Sequence, residues 1–249
     1  MTDAQLEERA PVLSGSALVK RFGKLTVLSA VDFSVGPGEA VGIVGPNGAG
    51  KTTLLNALAG SVTPDSGTVT LLGQDVSGLR PADRCRRGLG RAFQIPRPFN
   101  GMTVLENVIV GASAGGRLRG AALRARSIDV LDVCGLTVLA NRRAATLGLL
   151  HRKRLEVARA LATGPQVLLL DEIGAGLTDA EATELVELIR HLRDSGIAVV
   201  WIEHIVHVLL EVVTRLIAMD AGVVIEQGEP QAVLGSAAVI DAYLGREGS

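Results

Sequence analysis

The chain has 249 residues, of which 47% are hydrophobic and only 2% aromatic, and its formal net charge is −1. This length suits one large α/β domain or a core with a subdomain, built around an aliphatic interior. The near-neutral charge gives no electrostatic basis for binding nucleic acid, no apolar run is long enough to span a bilayer, and Cys85 and Cys134 show no metal or redox spacing.

Residues 1–15 read as a leader without the basic and apolar regions of a signal peptide, and two isolated thiols suit a reducing cytosol. Ala17 to Phe22 and Val31 to Val35 read as strands of an antiparallel piece, with Gly36-Pro37-Gly38 turning into the next element. Phe22 can stack on an adenine ring or pack in the sheet; its position ahead of the next motif favours stacking. Glu39 to Val44 is a short buried strand, and Leu54, Leu55 and Leu58 stripe a helix that ends near Gly60.

Between them runs Gly45-Pro46-Asn47-Gly48-Ala49-Gly50-Lys51-Thr52-Thr53, which fits the phosphate-binding P-loop pattern in its required strand–loop–helix setting. Glycines let backbone N–H groups approach phosphate, and the helix N-terminus favours negative charge. Lys51 adds a cation near the β/γ-phosphates, and the Thr52 hydroxyl can ligate Mg²⁺.

Further on, Ser66 to Gly73 reads as a strand and Pro81 to Arg87 as a basic helix with a solvated face. Leu89 to Gln94 is another strand, followed by a loop, Ile95 to Gly101. Residues 102–160 read as mostly helical, with a flexible break at Gly111 to Gly116, and form a candidate inserted subdomain. Val167 to Glu172 is a continuous apolar run ending in Asp171 and Glu172, as in a strand buried on both faces whose C-terminal end meets ligand. Thr178 to Glu181 is a capping box, and Leu185, Leu188, Ile189 and Leu192 stripe the helix it opens. Ile197 to Ile202 is a further buried strand leading to Glu203 and His204. A hairpin around Ala221-Gly222 and two short helices complete the chain.

In this order, the motifs resemble those of the nucleotide-binding subunits of ABC transporters from about Ala17 onward. The resemblance implies an ABC ATPase domain over residues 16–249: a RecA-like core with an antiparallel β subdomain and an inserted helical subdomain. Gly45 to Thr52 match Walker A, and Val167 to Asp171 match Walker B, with Asp171 supporting Mg²⁺ through water. Glu172 matches the catalytic glutamate that polarises the attacking water, and His204 the switch histidine facing the γ-phosphate. Gln94 matches the Q-loop glutamine, a contact to Mg²⁺ and the lytic water, and Phe22 the A-loop aromatic. ATP and Mg²⁺ are the implied ligands. Ala175 to Thr178 occupies the D-loop, with Thr178 in place of the usual Asp.

Arg91 to Gln94, Phe99, Met102 to Val108 and Val239 to Gly245 are similar to segments of branched-chain amino-acid importer ATPases, segments shared by importers of urea and small amides. The implied setting is the cytoplasmic face of the inner membrane, beneath two membrane-spanning permease subunits fed by a substrate-binding protein, with a second ATPase subunit paired head-to-tail. One stretch departs from the family. Leu147-Gly148-Leu149-Leu150-His151 stands where Leu-Ser-Gly-Gly-Gln or Leu-Ser-Tyr-Gly-Gln is expected, so a Ser donor is lost and Leu150 replaces a glycine. That departure points to a heterodimer with one strong and one weak site, or to a nucleotide-gated subunit with weak hydrolysis. A DNA-repair ATPase would need a long coiled-coil insert or a basic surface, and neither is visible.

Overall fold

Apolar five-residue runs that are buried on both sides can only be central strands of a covered sheet. The chain has three: β3 (Ala40–Val44), β7 (Val167–Asp171) and β8 (Ala198–Ile202), every residue of which is buried. In the computed structural model, which describes residues 10–244, they lie side by side in a six-stranded sheet. Its order is β10–β9–β3–β8–β7–β6, adding β6 (Leu89–Ala92), β9 (Arg215–Asp220) and β10 (Val223–Gly228). All neighbours run parallel except β9 and β10, which form the expected hairpin.

Alternation along each strand divides the core in two. Leu168, Leu170, Val199 and Trp201 face one cluster, and Val167, Leu169, Val200 and Ile202 face the other. The second face is covered by α1 (Lys51–Ala59) and by a four-stranded antiparallel sheet. That sheet joins β1 (Leu13–Phe22), β2 (Leu25–Val35), β4 (Ser66–Leu71) and β5 (Gln74–Asp75) in the order β2–β1–β4–β5. Both β1 and β2 start earlier than the sequence suggests. Leu13 is fully buried opposite Val35 and Leu71, so residues 13–15, placed in the leader above, belong to the sheet. Residues 1–9 of that leader and Gly245 lie outside the described residues.

The short helix α2 (Pro81–Cys85) corrects one expectation. It is basic, yet Arg84 is not solvated but wholly buried. Its guanidinium donates to Ala57 O (2.8 Å) and Leu58 O (2.7 Å) at the C-terminal end of α1, and to Ser77 O (3.0 Å) and Leu79 O (3.2 Å). Helix-end carbonyls carry partial negative charge and lack intrahelical donors, which is what a buried guanidinium can satisfy.

Between β6 and β7 the chain forms α3 (Val104–Val110), α4 (Gly120–Val133) and α5 (Leu149–Ala162). The break expected after α3 is instead a π-helical turn, Gly111–Gly115, with Ala112 fully buried. Glycine is needed there for proximity: a Cβ on Gly111 would stand 2.5 Å from Arg159 O of α5. Packed into the same core cluster as α5, α6 (Asp179–Asp194) opens at the anticipated capping box, in which Thr178 and Glu181 exchange side-chain and backbone bonds. The remaining helices, α7 (Val206–Leu210), α8 (Pro230–Leu234) and α9 (Ala237–Leu244), are short. No helix among the described residues is long and apolar enough to cross a membrane.

Candidate functional site

Register across the parallel strands assembles the site. Ile43, Ile202 and Asp171 are aligned on β3, β8 and β7, so the residues that follow each strand emerge at one edge of the sheet. From β3 comes Gly45, whose φ of 148° and close approach to Met219 O, 2.1 Å from where a Cβ would be, admit only glycine. The loop then enters α1. Its N-cap, Gly50, offers no side-chain cap, and no acid stands in the first turn, so the first N–H groups are left for an anionic ligand. A cleft of about 180 Å³ is lined by the loop from Asn47 to Thr53 together with Val27, Glu172 and His204.

Lys51 is buried, and its Nζ donates to Gly45 O (2.7 Å) and Pro46 O (3.0 Å). Burial lowers its pKa, and the Glu172 carboxylate opposes that shift. The C-terminal ends of β7 and β8 supply the reactive groups. Glu172 has a left-handed backbone, φ 46°, and its N–H bonds Ile202 O at 2.8 Å. A non-glycine residue held there is a strain that the surrounding structure must enforce, and such strain is common at working sites. Its carboxylate is held between two side chains: Gln94 Nε2 donates to one oxygen, and His204 Nε2 lies 2.9 Å from the other. Residues 94, 172 and 204 are thus one hydrogen-bonded group at the mouth of the cleft. A carboxylate so placed can polarise a water, with an amide and an imidazole fixing its direction.

Asp171 is buried and pairs with Arg91 Nη2 at 2.8 Å, while Arg91 Nη1 reaches Asn56 of α1 at 2.7 Å. No cluster of three or more His, Cys, Asp or Glu that could hold a metal occurs among the described residues. The oxygen donors at hand, the Thr52 hydroxyl and the Asp171 carboxylate, are the kind and number that suit Mg²⁺ arriving on a nucleotide. That ion keeps several waters and takes one or two protein oxygens beside phosphate.

Phe22 does not line the cleft. It closes β1 with its ring half exposed and Lys20 Nζ 5.5 Å from the ring centre. Val27 of β2 lines the cleft instead. Other residues at the site went unread in the sequence: Arg91, Lys153, Glu203 and Tyr243, whose phenol meets the Gly45 backbone. Glu203 had a signal, a carboxylate ending an apolar strand beside His204. Arg91 had one too, as a charge inside a buried strand.

At the departing segment, Gly148 is the N-cap of α5. Leu150 does not obstruct as expected; it turns into the core at 6% exposure, and the apolar side chain at the surface is Leu149, packed beside Gly176. A second and larger cavity, about 340 Å³, lies between α2, β6, the π-turn and α5, with Cys85, Phe93, Glu156 and Arg159 on its walls. The loop from Ile95 to Gly101 reaches its Arg159 wall: Phe99 stacks 5.0 Å from the Arg159 guanidinium, and its backbone is fixed by the buried Asn107. Ile95 and Met102 are exposed beside it in sequence.

A protein-family model described as ABC transporter matches residues 28–175. The high-affinity branched-chain amino acid transport ATP-binding protein LivG of Escherichia coli K12 is 36% identical, covering 94% of this chain and 98% of the relative. A crystal structure of a nucleotide-free ATP-binding cassette from an ABC transporter superposes with a TM-score of 0.87 at 30% identity, over 95% of this chain and all of that one. A dimeric cassette in a post-hydrolysis state, bound to ADP and Pi, superposes at 0.77 with 26% identity, over 88% of this chain and 98% of that one.

Proposed function

The chain is an ATPase belonging to the ABC transporter family, and on that footing we propose that it energises an importer of branched-chain or related amino acids. The observation that carries the catalytic half of this reading is the Gln94–Glu172–His204 group at the mouth of the P-loop cleft. The end-to-end likeness to LivG supports the transport half.

In this reading the N–H groups of residues 48–53 and the Lys51 ammonium hold the phosphates of ATP. Phosphoryl transfer to water needs charge stabilisation and alignment more than covalent chemistry. Glu172 polarises the attacking water, His204 faces the γ-phosphate, and Gln94 fixes the Glu172 carboxylate. Thr52, Gln94 and, through water, Asp171 would hold Mg²⁺, which would supply charge neutralisation at the phosphates. Phe22, half exposed at the end of β1, is the candidate base-stacking aromatic. The 340 Å³ cavity and the Phe99 loop take a helix of a permease subunit, an apolar face entering an apolar groove. The chain then sits peripherally at the cytoplasmic face of the membrane beneath two permease subunits.

A second ATPase subunit closes the P-loop from the opposite side. Because Gly148 carries no hydroxyl and Leu149 presents an apolar surface, this chain's signature serves its partner's ATP poorly. A heterodimer follows, whose strong site is built on Lys51, Asp171 and Glu172 and completed by the partner's signature.

The test is ATP turnover by the assembled transporter. Glu172→Gln keeps ATP binding and lowers turnover by ~10²–10⁴-fold, the usual effect of losing such a group. Lys51→Ala weakens binding instead. Replacing the partner's catalytic glutamate spares much of the activity. A wild-type rate for Glu172→Gln would refute the water-polarising role; full activity of the purified chain as a homodimer would refute the asymmetry.

A further inference from the structure

Two buried charges behind the cleft are not used by the chemistry above. Lys153 of α5 and Glu203 after β8 are each only 2% exposed. Lys153 Nζ donates to the main-chain carbonyl of Gln94 at 3.4 Å. Glu203 accepts from two main-chain N–H groups, that of His204 at 3.1 Å through Oε1 and that of Gly174 at 2.9 Å through Oε2. The Glu203 and Glu172 carboxylates are the anions that act on the Lys153 ammonium, partly offsetting the fall in its pKa that burial causes.

These contacts form a pattern. The Glu172 carboxylate has two side-chain partners, Gln94 and His204. Each has its backbone held from behind by one member of the buried pair, Gln94 by Lys153 and His204 by Glu203. Glu203 also holds the chain two residues beyond Glu172, where that residue's left-handed backbone needs support. Desolvating two charges is a poor way to gain stability, since an apolar pair of the same volume usually does as well. A role in positioning explains the charges better. Lys153 is also on the helix whose N-terminus carries the Leu147–His151 segment, so its bond to Gln94 O joins that segment to the hydrolytic group.

We propose that Lys153 and Glu203 are positioning residues that fix the Gln94–Glu172–His204 group for hydrolysis and couple it to displacements of α5. The proposal rests on the assignment of Glu172 as the water-polarising group. Neither residue lines the P-loop cleft, so the pair governs turnover without governing affinity.

The experiment compares Glu203→Gln, Lys153→Met and Lys153→Arg in the assembled transporter, with Glu172→Gln alongside. It reads kcat, KM and the binding of a non-hydrolysable ATP analogue. Glu203→Gln keeps the shape but can accept only one of the two N–H bonds. It and Lys153→Met should each lower kcat by ~10–10²-fold, the cost of misplacing a reacting group by about an ångström. Analogue binding should stay within ~2-fold, and Lys153→Arg should restore most of kcat. The Glu203→Gln/Lys153→Met double variant should fall little further than either single one, as expected of residues acting as a unit. Gly174→Ala is an independent probe, since its Cβ would stand 2.9 Å from Glu203 Oε2 and displace the carboxylate with its charge intact. It should reproduce the loss in kcat, and it supplies the measurement if Glu203→Gln does not fold.

Unchanged kcat in Lys153→Met together with Glu203→Gln or Gly174→Ala, or losses of kcat and analogue binding in parallel, would overturn the proposal. If Glu172→Gln itself turned over normally, the prior assignment would be the one at fault.

Discussion

Arg84 tests whether the fold around the phosphate site depends on one buried guanidinium. Arg84→Met keeps the length of the side chain and removes all its donors. The lost bonds go to Ala57, Leu58, Ser77 and Leu79 carbonyls at 2.7–3.2 Å. All four carbonyls lose their charged donor, and of them Ala57 O still keeps the Gly60 N–H. Hydrogen bonds to charged groups contribute about 1.5–3 kcal/mol each, and they are not additive. Against them stands the desolvation of the guanidinium, which burial already disfavours enough to lower its pKa and which Asp75 offsets only in part. The net expectation is a loss of about 3–5 kcal/mol, a large share of the 5–15 kcal/mol that holds a typical domain. Urea denaturation of the purified chain gives the answer as a lower midpoint at unchanged slope. A loss under about 1 kcal/mol would refute the reasoning, since it would mean that water or repacking satisfies those carbonyls as well as Arg84 does.

Three further outcomes are expected. Gly148→Ser has open space for its side chain and an extended backbone at the N-cap of α5. It should therefore stabilise the chain by a few tenths of a kcal/mol, about what Ser gains over Gly at an N-cap. It should also raise ATP turnover of the assembled transporter by restoring a hydroxyl toward the partner's site; a rate that stays flat or falls would count against that role for the segment. Phe99→Asp places a charge where an aromatic ring stacks on Arg159 beside the groove, so the chain should fold normally but no longer co-purify with permease subunits; undiminished co-purification would exclude the loop from docking. Cys134 is buried and its thiol pKa is pushed up to about 12. At pH 8 it therefore stays protonated and shielded, and alkylation with iodoacetamide should label Cys85 alone in the native chain and both thiols in denaturant. Native labelling of Cys134 would contradict its burial.

The parts of this protein that were legible in the sequence are those that short-range order fixes. The P-loop is one continuous segment whose glycines, Lys51 and flanking elements all lie between Ala40 and Ala59. The apolar strands ending at Asp171 and Ile202 mark their own burial and their ligand-facing ends, and the Thr178 capping box is a four-residue pattern. What tertiary structure decided are the fates of charged and glycine residues whose partners come from elsewhere. Arg84 reads as solvated because only folding brings the end of α1, 26 residues away, to its guanidinium. Lys153 and Glu203 read as an ordinary helix charge and a strand-end acid, until folding brings Gln94 O to the one and the Gly174 N–H to the other. The Gly111–Gly116 stretch reads as a flexible break, whereas Gly111 packs closely against α5 and residues 111–115 form a π-turn with Ala112 buried. Hydrophobic periodicity reports which face an element turns to the core. It is silent on which polar atoms another segment will deliver there, and a charge can be buried only where such atoms arrive.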